Sequence, residues 1–225
     1  MTDLFSLSDQ VLNESDSGIK PFNRINHELS ELDDGLSFVE AFSNTVNFST
    51  DDGLVIVDTS SVGGGSLAAE AIRQWRPDDR FNSLIYTHGH FDHVGALAEI
   101  RQATQADVLA SEAEMELLGD LRQHVDGYLV PGELIEMGRQ SLRVAATPGH
   151  TPAGVSLIHA EAAFVGDALF AGSVGGTRNR SDYKRQLAAV QSELLSLPEG
   201  TTLYPGHGPA TTVAEELANN PFFTD

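Results

Sequence analysis

The most informative segment of this sequence is Thr87-His88-Gly89-His90-Phe91-Asp92-His93-Val94-Gly95. It places three imidazoles and a carboxylate within six residues, directly after a short apolar run that predicts a strand. Alternate positions on an extended loop point the same way, so His88 and His90 can bind one ion while Asp92 and His93 face a neighbouring one. Two adjacent ions would need further ligands from elsewhere in the chain.

Three more segments each offer such a ligand on a turn just past a predicted strand. They are Thr147-Pro148-Gly149-His150-Thr151-Pro152, Val165-Gly166-Asp167-Ala168 and Tyr204-Pro205-Gly206-His207-Gly208. Gly directly precedes the side chain in all three and Pro lies nearby in two, as expected where the backbone bends sharply to aim one side chain. The chain contains no Cys, so any metal must be held by His and carboxylate ligands.

Around these segments the pattern alternates between strands and helices. Apolar runs predict strands at 36–40, 45–48, 54–57, 83–86, 108–110, 134–137, 142–146, 155–158, 163–165 and 202–204. Helical spacing predicts helices at 67–75, 96–104, 111–118 and 181–195. Strand-rich stretches in both halves indicate an α/β fold of two sheets packed face to face with helices outside. Residues 1–35 are polar and acidic and predict a loosely ordered arm or an edge addition, which leaves 36–225 as the folded domain.

Charge narrows the range of partners. Lys and Arg number 13 and Asp and Glu 33, giving a formal net charge of −20. Nucleic acid and an anionic membrane surface are disfavoured, because both require a basic face. The N-terminus lacks a signal-peptide pattern and no apolar run reaches the ~20 residues of a membrane span, so we expect a cytoplasmic protein. The oligomeric state stays open.

The sequence resembles the metallo-β-lactamase superfamily, and within it the glyoxalase II-like branch, over about 36–223. The motifs that carry the resemblance are THGHFDHVG, TPGHTPAG, GDALFAGSVG, YPGHGPATT and NPFF. The resemblance implies an αββα sandwich of two mixed β-sheets. It also implies a set of ligands for two divalent ions: His88, His90 and His150 for the first, Asp92, His93 and His207 for the second, and Asp167 bridging both. His27, His124 and His159 match no motif.

Asp58 directly follows the predicted strand 54–57, at the position where the superfamily has an Asp beside the metal loop, which is residues 87–95 in this sequence. In that position it would accept a hydrogen bond from a ligand histidine and fix the orientation of its ring. The alternative is an Asp that caps a helix or a turn.

The ligand set predicts a binuclear metal-dependent hydrolase. Two ions would lower the pKa of a bridging water to about 7 and generate a hydroxide that attacks an acyl carbon, with Asp92 and Asp167 orienting it. The ions are predicted to be zinc, with iron or manganese as alternatives, since all three suit His and carboxylate ligands. A thiolate leaves without obligatory protonation, so thioester hydrolysis is the easiest reaction. The resemblance implies S-2-hydroxyacyl thiol conjugates such as S-lactoylglutathione.

A basic cluster in this acidic chain predicts an anionic small-molecule thioester substrate. Arg178, Arg180 and Lys184, with Arg185, fall within eight residues soon after Asp167. Some of them could receive a substrate carboxylate, since Arg offers a matching fork. They could equally form the solvated face of the helix predicted at 181–195. The chain ends soon after His207, so the resemblance does not extend to the C-terminal helical domain of full-length glyoxalase II, and the thiol carrier stays open.

Three other functions remain open. A persulfide dioxygenase would hold one iron with His88, His150 and Asp167, because two histidines and one carboxylate form the triad of non-haem iron oxygenases. A lactonase or a β-lactamase would use the same two ions on a different acyl group. A metal-stabilised scaffold is disfavoured by the complete ligand set.

Overall fold

The structure is a computed structural model that describes residues 25–224. Most of the predicted arm, residues 1–24, lies outside the described residues. The first sheet contains seven strands, in the spatial order β1 (Leu29–Asp33), β2 (Leu36–Val39), β3 (Thr45–Thr50), β4 (Gly53–Val57), β5 (Phe81–Ile85), β6 (Asp107–Ala110) and β7 (Gly127–Tyr128). Neighbours from β1 to β4 are antiparallel, and neighbours from β4 to β7 are parallel.

The second sheet contains six strands. Their spatial order is β13 (Thr211–Thr212), β12 (Thr202–Pro205), β11 (Ala162–Gly166), β10 (Val155–His159), β9 (Gln140–Ala146) and β8 (Leu134–Met137). Only the β11–β12 pair among these is parallel, so this sheet is mixed like the first.

Side-chain alternation in β4 shows how the layers form. Val55 and Val57 lie in the core between the sheets, together with Phe164 of the second sheet. Leu54 and Ile56 belong to a second cluster on the opposite face of the first sheet, where the helices pack. Because successive strand residues point to opposite faces, one apolar strand serves both layers. The predicted fold of two mixed sheets with helices outside is confirmed.

Within residues 25–224, six α-helices accompany the sheets: α1 (Gly64–Trp75), α2 (Phe91–Val94), α3 (Leu97–Thr104), α4 (Met115–Leu118), α5 (Arg180–Glu193) and α6 (Val213–Asn219). The predicted helix over 111–118 is instead a 3₁₀ turn (Glu112–Glu114) followed by the single turn α4, which stops at Gly119, a residue with φ +55°. Across residues 25–224, no helix is long and apolar enough to cross a membrane.

The first sheet begins earlier than the sequence predicts. Strand β1 lies within the segment assigned to the arm and pairs antiparallel with β2 at the sheet edge. A bulge between Glu31 and Asp33 breaks the register. Leu32 packs against the core between the sheets and Leu29 against the cluster on the helical face, so neither face of this short strand repeats an apolar residue and the sequence shows no period-2 pattern.

Candidate metal centre

The chemistry-bearing residues follow the carboxyl ends of strands from both sheets. Asp58 follows β4, and the loop with His88 and His90 follows β5 and runs into α2. His150 follows β9, Asp167 follows β11 and His207 follows β12. Both sheets therefore contribute loops to one edge of the sandwich, which brings together residues up to 149 positions apart in sequence.

The structure brings all seven predicted ligands together. Their donor atoms form three overlapping groups, each with all atoms within 4.8 Å of one another: His88, His90 and His150; His88, His93 and Asp167; and Asp92, His93 and His207. His88, His93 and Asp167 are buried at the base, whereas the other four are partly accessible. The centre is thus closed below and open to solvent above.

Asp167 lies between the two outer groups, which are the first and the third of the three. Its Oδ1 is 3.3 Å from His93 Nε2, and its Oδ2 is 3.4 Å from His150 Nε2 and 3.5 Å from His207 Nε2. One carboxylate therefore faces histidines of both groups, which is the geometry that a bridging ligand needs.

Backbone carbonyls orient two of the histidines. His150 Nδ1 donates to the carbonyl of Gly176 at 2.7 Å, and His207 Nδ1 donates to the carbonyl of Phe42 at 2.5 Å. A carbonyl only accepts, so each Nδ1 carries the proton. Each Nε2 is thereby directed toward the centre.

Asp58 orients the other side. Its Oδ2 lies 2.8 Å from His93 Nδ1 and accepts from the Thr87 hydroxyl at 2.7 Å, while its Oδ1 accepts from the Thr87 amide at 2.9 Å. The Thr87 oxygen in turn lies 3.1 Å from His88 Nδ1. Because the Thr87 proton goes to Asp58, its oxygen accepts from His88, and both histidines also aim Nε2 inward. Asp58 has φ +56°, an uncommon backbone conformation for a side chain other than Gly.

The donor atoms fit a cation, and three of them have no hydrogen-bond partner within the described residues. His88 Nε2, His93 Nε2 and Asp167 Oδ1 are buried without a hydrogen-bond partner within the described residues. His90 Nδ1 lies 3.0 Å from His150 Nε2. The proton of the His150 ring is on Nδ1, which donates it to the Gly176 carbonyl. Buried polar atoms are normally paired, so convergent unpaired acceptors indicate a site built for a metal ion.

The pKa shifts in the centre also favour a bound cation. Burial lowers the pKa of His88 well below its ordinary value, and the neighbouring imidazoles lower it further. Burial also opposes charge on His93, but Asp167 and Asp58 outweigh it and raise its pKa well above the ordinary value. Burial raises the pKa of Asp92, yet the hydrogen bond to His207 and the charge of His93 bring it down to about 2. Ionised carboxylates beside closely spaced imidazoles suit a divalent cation.

Two residues that hold the ligand loops in place were not predicted from the sequence. Asn44 Nδ2 donates to the carbonyls of Pro205 and Gly208, both at 3.1 Å, and thereby holds the turn that carries His207. The Ser43 hydroxyl donates to the Asp92 carbonyl at 2.8 Å. Both residues come from the β2–β3 turn, which only the three-dimensional fold brings to the site.

The basic cluster lies beside the centre rather than in it. Arg178, Arg180 and Lys184 are exposed near the start of α5, and no hydrogen bond or ion pair connects them to the seven residues within 25–224. Arg185 donates to the Pro152 carbonyl and lines a cavity of about 420 Å³ beside the loop that carries His150.

The remaining histidines stay outside the centre. His159 Nδ1 donates to the Ser141 carbonyl at 3.0 Å and its ring packs edge-on against Phe48. His27 and His124 are partly exposed and belong to none of the three groups.

The fold and this constellation of histidines and carboxylates define a metallo-hydrolase. The chain belongs to the metallo-beta-lactamase superfamily, which it matches over residues 40–207, the span that contains all seven residues of the centre. Among individual proteins, it is similar to a hydroxyacylglutathione hydrolase, GloC, from Haemophilus influenzae. The two are 31% identical over 157 residues, which cover 62% of this chain and 74% of the relative.

Solved structures agree with the fold. The crystal structure of the B3 metallo-beta-lactamase BLEG-1 has a TM-score of 0.69 and 31% identity, and the match covers 81% of this chain and 95% of the other. A crystal structure of TTHA1623 in a di-iron-bound form has a TM-score of 0.65 and 30% identity, covering 80% and 94%.

Proposed function

We propose that the protein is a binuclear metal-dependent hydrolase, and specifically a thioesterase that acts on S-2-hydroxyacyl thiol conjugates. One observation carries the proposal: seven His and Asp side chains aim their acceptor atoms at one small volume, with Asp167 between the two outer groups. His88, His90 and His150 would hold one divalent ion, Asp92, His93 and His207 a second, and Asp167 both. Zinc, iron and manganese all suit these ligands.

When bound, the two ions would polarise a carbonyl oxygen and supply a nucleophilic water at neutral pH. The residues of the chain position the reactants around them. Asp92 and Asp167 carry ionised carboxylates that accept hydrogen bonds, so they can orient a water toward an acyl carbon held at the open side of the centre. The leaving group of a thioester is a thiolate, which departs without a proton donor.

The similarity to a protein named hydroxyacylglutathione hydrolase supports this substrate class. The structure described as di-iron-bound supports two ions per chain.

Substrate binding is assigned to the basic cluster. Arg178 and Arg180 flank the start of α5, and Gly176, two residues before Arg178, accepts a hydrogen bond from His150. A substrate carboxylate bound by Arg178, Arg180 or Lys184 would therefore lie next to the centre. We expect Arg178→Ala with Arg180→Ala to raise KM several-fold for an anionic thioester and to leave a neutral thioester unchanged. The exposed Arg122→Ala is the matched control, and equal KM values in all three proteins would exclude this role.

Hydrolysis of a lactone or a β-lactam is the second candidate, because BLEG-1, described as a B3 metallo-beta-lactamase, is 31% identical and covers most of the chain. The same centre would serve both reactions, since only the acyl group differs. A side-by-side substrate panel distinguishes them.

The test is thiol release from a panel of acyl thioesters, including S-lactoylglutathione, measured in parallel with lactone and β-lactam hydrolysis. The proposal predicts the highest kcat/KM for a 2-hydroxyacyl thioester, and loss of nearly all of it in Asp167→Asn. A protein that opens lactones or β-lactams but releases no thiol would overturn the thioesterase assignment.

A further inference from the structure

Glu114 is a buried carboxylate that the proposed chemistry does not use. Its side chain is 1% exposed and belongs to the 3₁₀ turn Glu112–Glu114 beneath the metal loop. Within residues 25–224 it forms no ion pair with a basic residue. Burying a carboxylate is costly, so its partners deserve a functional explanation.

Both oxygens of Glu114 accept backbone amides, and the two amides belong to different loops. Oε2 accepts from the amide of Gly89 at 3.0 Å, and Oε1 accepts from the amide of Ala153 at 2.7 Å. Gly89 stands between His88 and His90, and Ala153 follows His150 by three residues. A carboxylate can accept at both ends at once, which an amide cannot do.

Close packing leaves the metal loop little room to move on this turn. A Cβ at Gly89 would lie 2.8 Å from Leu117 Cβ and 3.2 Å from the Glu114 carbonyl oxygen. The loop of His88 and His90 therefore packs directly on the segment that contains Glu114. The Glu114 carboxylate fixes the position of this loop relative to the loop of His150.

We propose that Glu114 is a positioning residue that ties the His88–His90 loop to the His150 loop and so sets the spacing of the three imidazoles in the first group. His90 Nδ1 and His150 Nε2, which it holds on opposite loops, are 3.0 Å apart. The inference rests on the proposed metal centre. It predicts that Glu114 affects the ion held by His88, His90 and His150 more than the ion held by Asp92, His93 and His207.

The test uses Glu114→Gln, which keeps the shape of the side chain but turns an NH₂ donor toward one of the two amides. The exposed Glu116→Gln, two residues away, is the matched control. Stepwise metal affinities are measured on metal-free protein by competition with a chromophoric chelator, and the Co²⁺ absorption spectrum reports the ligand geometry. We expect one binding step to weaken by about 10- to 100-fold, with a changed Co²⁺ spectrum, while the other step keeps its affinity.

A second variant guards against misfolding. Glu114→Asp keeps the charge but shortens the reach by one methylene, so it cannot bond both loops, and it should weaken the same step. A lower urea midpoint for the metal-free variants with unchanged affinities and spectrum would reduce Glu114 to a structural role and overturn the proposal. So would failure of both variants to fold. A wild-type protein that binds no ion at all would instead overturn the proposed function, and this inference with it.

Discussion

The Asp58 carboxylate lies 2.8 Å from Nδ1 of His93 and fixes the opposite nitrogen of that ring toward Asp167. The same carboxylate accepts hydrogen bonds from the amide and the hydroxyl of Thr87, the residue that leads into the metal loop. One side chain at the end of β4 thus sets both a ring orientation and the start of a loop.

Asp58→Asn should weaken metal binding. Asn presents one donor where three donors already converge, so either the Thr87 contacts or the His93 contact is lost. We expect metal affinity to fall by about 10- to 100-fold, measured by chelator competition. The exposed Asp120→Asn should keep wild-type affinity. Equal affinities for the two variants would show that Asp58 does not orient His93.

Gly206→Ala should disrupt the centre directly. A Cβ at this position would lie 2.3 Å from Asp167 Oδ1 and 2.5 Å from His93 Cε1, so those two side chains must move. We expect ions per chain to fall in elemental analysis and the free energy of unfolding to drop by about 1–3 kcal/mol. Gly200→Ala is the control, because nothing lies within 4 Å of its Cβ. Full metal content in Gly206→Ala would contradict the described packing.

Metal removal should destabilise the protein. An ion that binds only the folded state stabilises it by RT ln(1 + [L]/Kd), which is about 4 kcal/mol when the free ion is at 1,000 times Kd. Urea unfolding of chelator-treated protein, with and without restored Zn²⁺, measures this difference. Asp167→Asn should show a much smaller gain on adding Zn²⁺, and a gain equal to that of wild type would argue against a shared ligand.

The Arg101–Asp126 pair gives a stability prediction away from the centre. The hydrogen bond from Arg101 lowers the pKa of Asp126 in the folded protein. Its contribution is therefore present above the unfolded pKa of about 3.9 and is lost as the pH falls through the folded value. Asp126→Asn should cost less than about 1 kcal/mol at pH 7, because the pair is partly exposed and screened. Urea titrations should show this gap closing below about pH 4, and a gap that persists there would exclude the ion pair as its cause.

Sequence patterns predicted much of this molecule because the deciding features are local. The metal-loop motif and the three turns in which Gly precedes the ligand each lie within ten residues, and apolar runs such as the one in β4 mark buried strands. Features that depend on distant contacts were missed. Glu114 meets its partners 25 and 39 residues away in sequence, and Asn44 meets its partners more than 160 residues away. Strand β1 was missed because Leu29 and Leu32 pack on opposite faces of the sheet, so neither face repeats an apolar residue.

Elemental analysis of protein purified without added metal shows whether the seven side chains hold two metal ions. We expect close to two ions per chain, whether zinc, iron or manganese. One iron per chain would shift the assignment to the dioxygenase that uses His88, His150 and Asp167. No bound ion, even after incubation with excess Zn²⁺, Fe²⁺ or Mn²⁺, would show that these side chains do not form a metal centre.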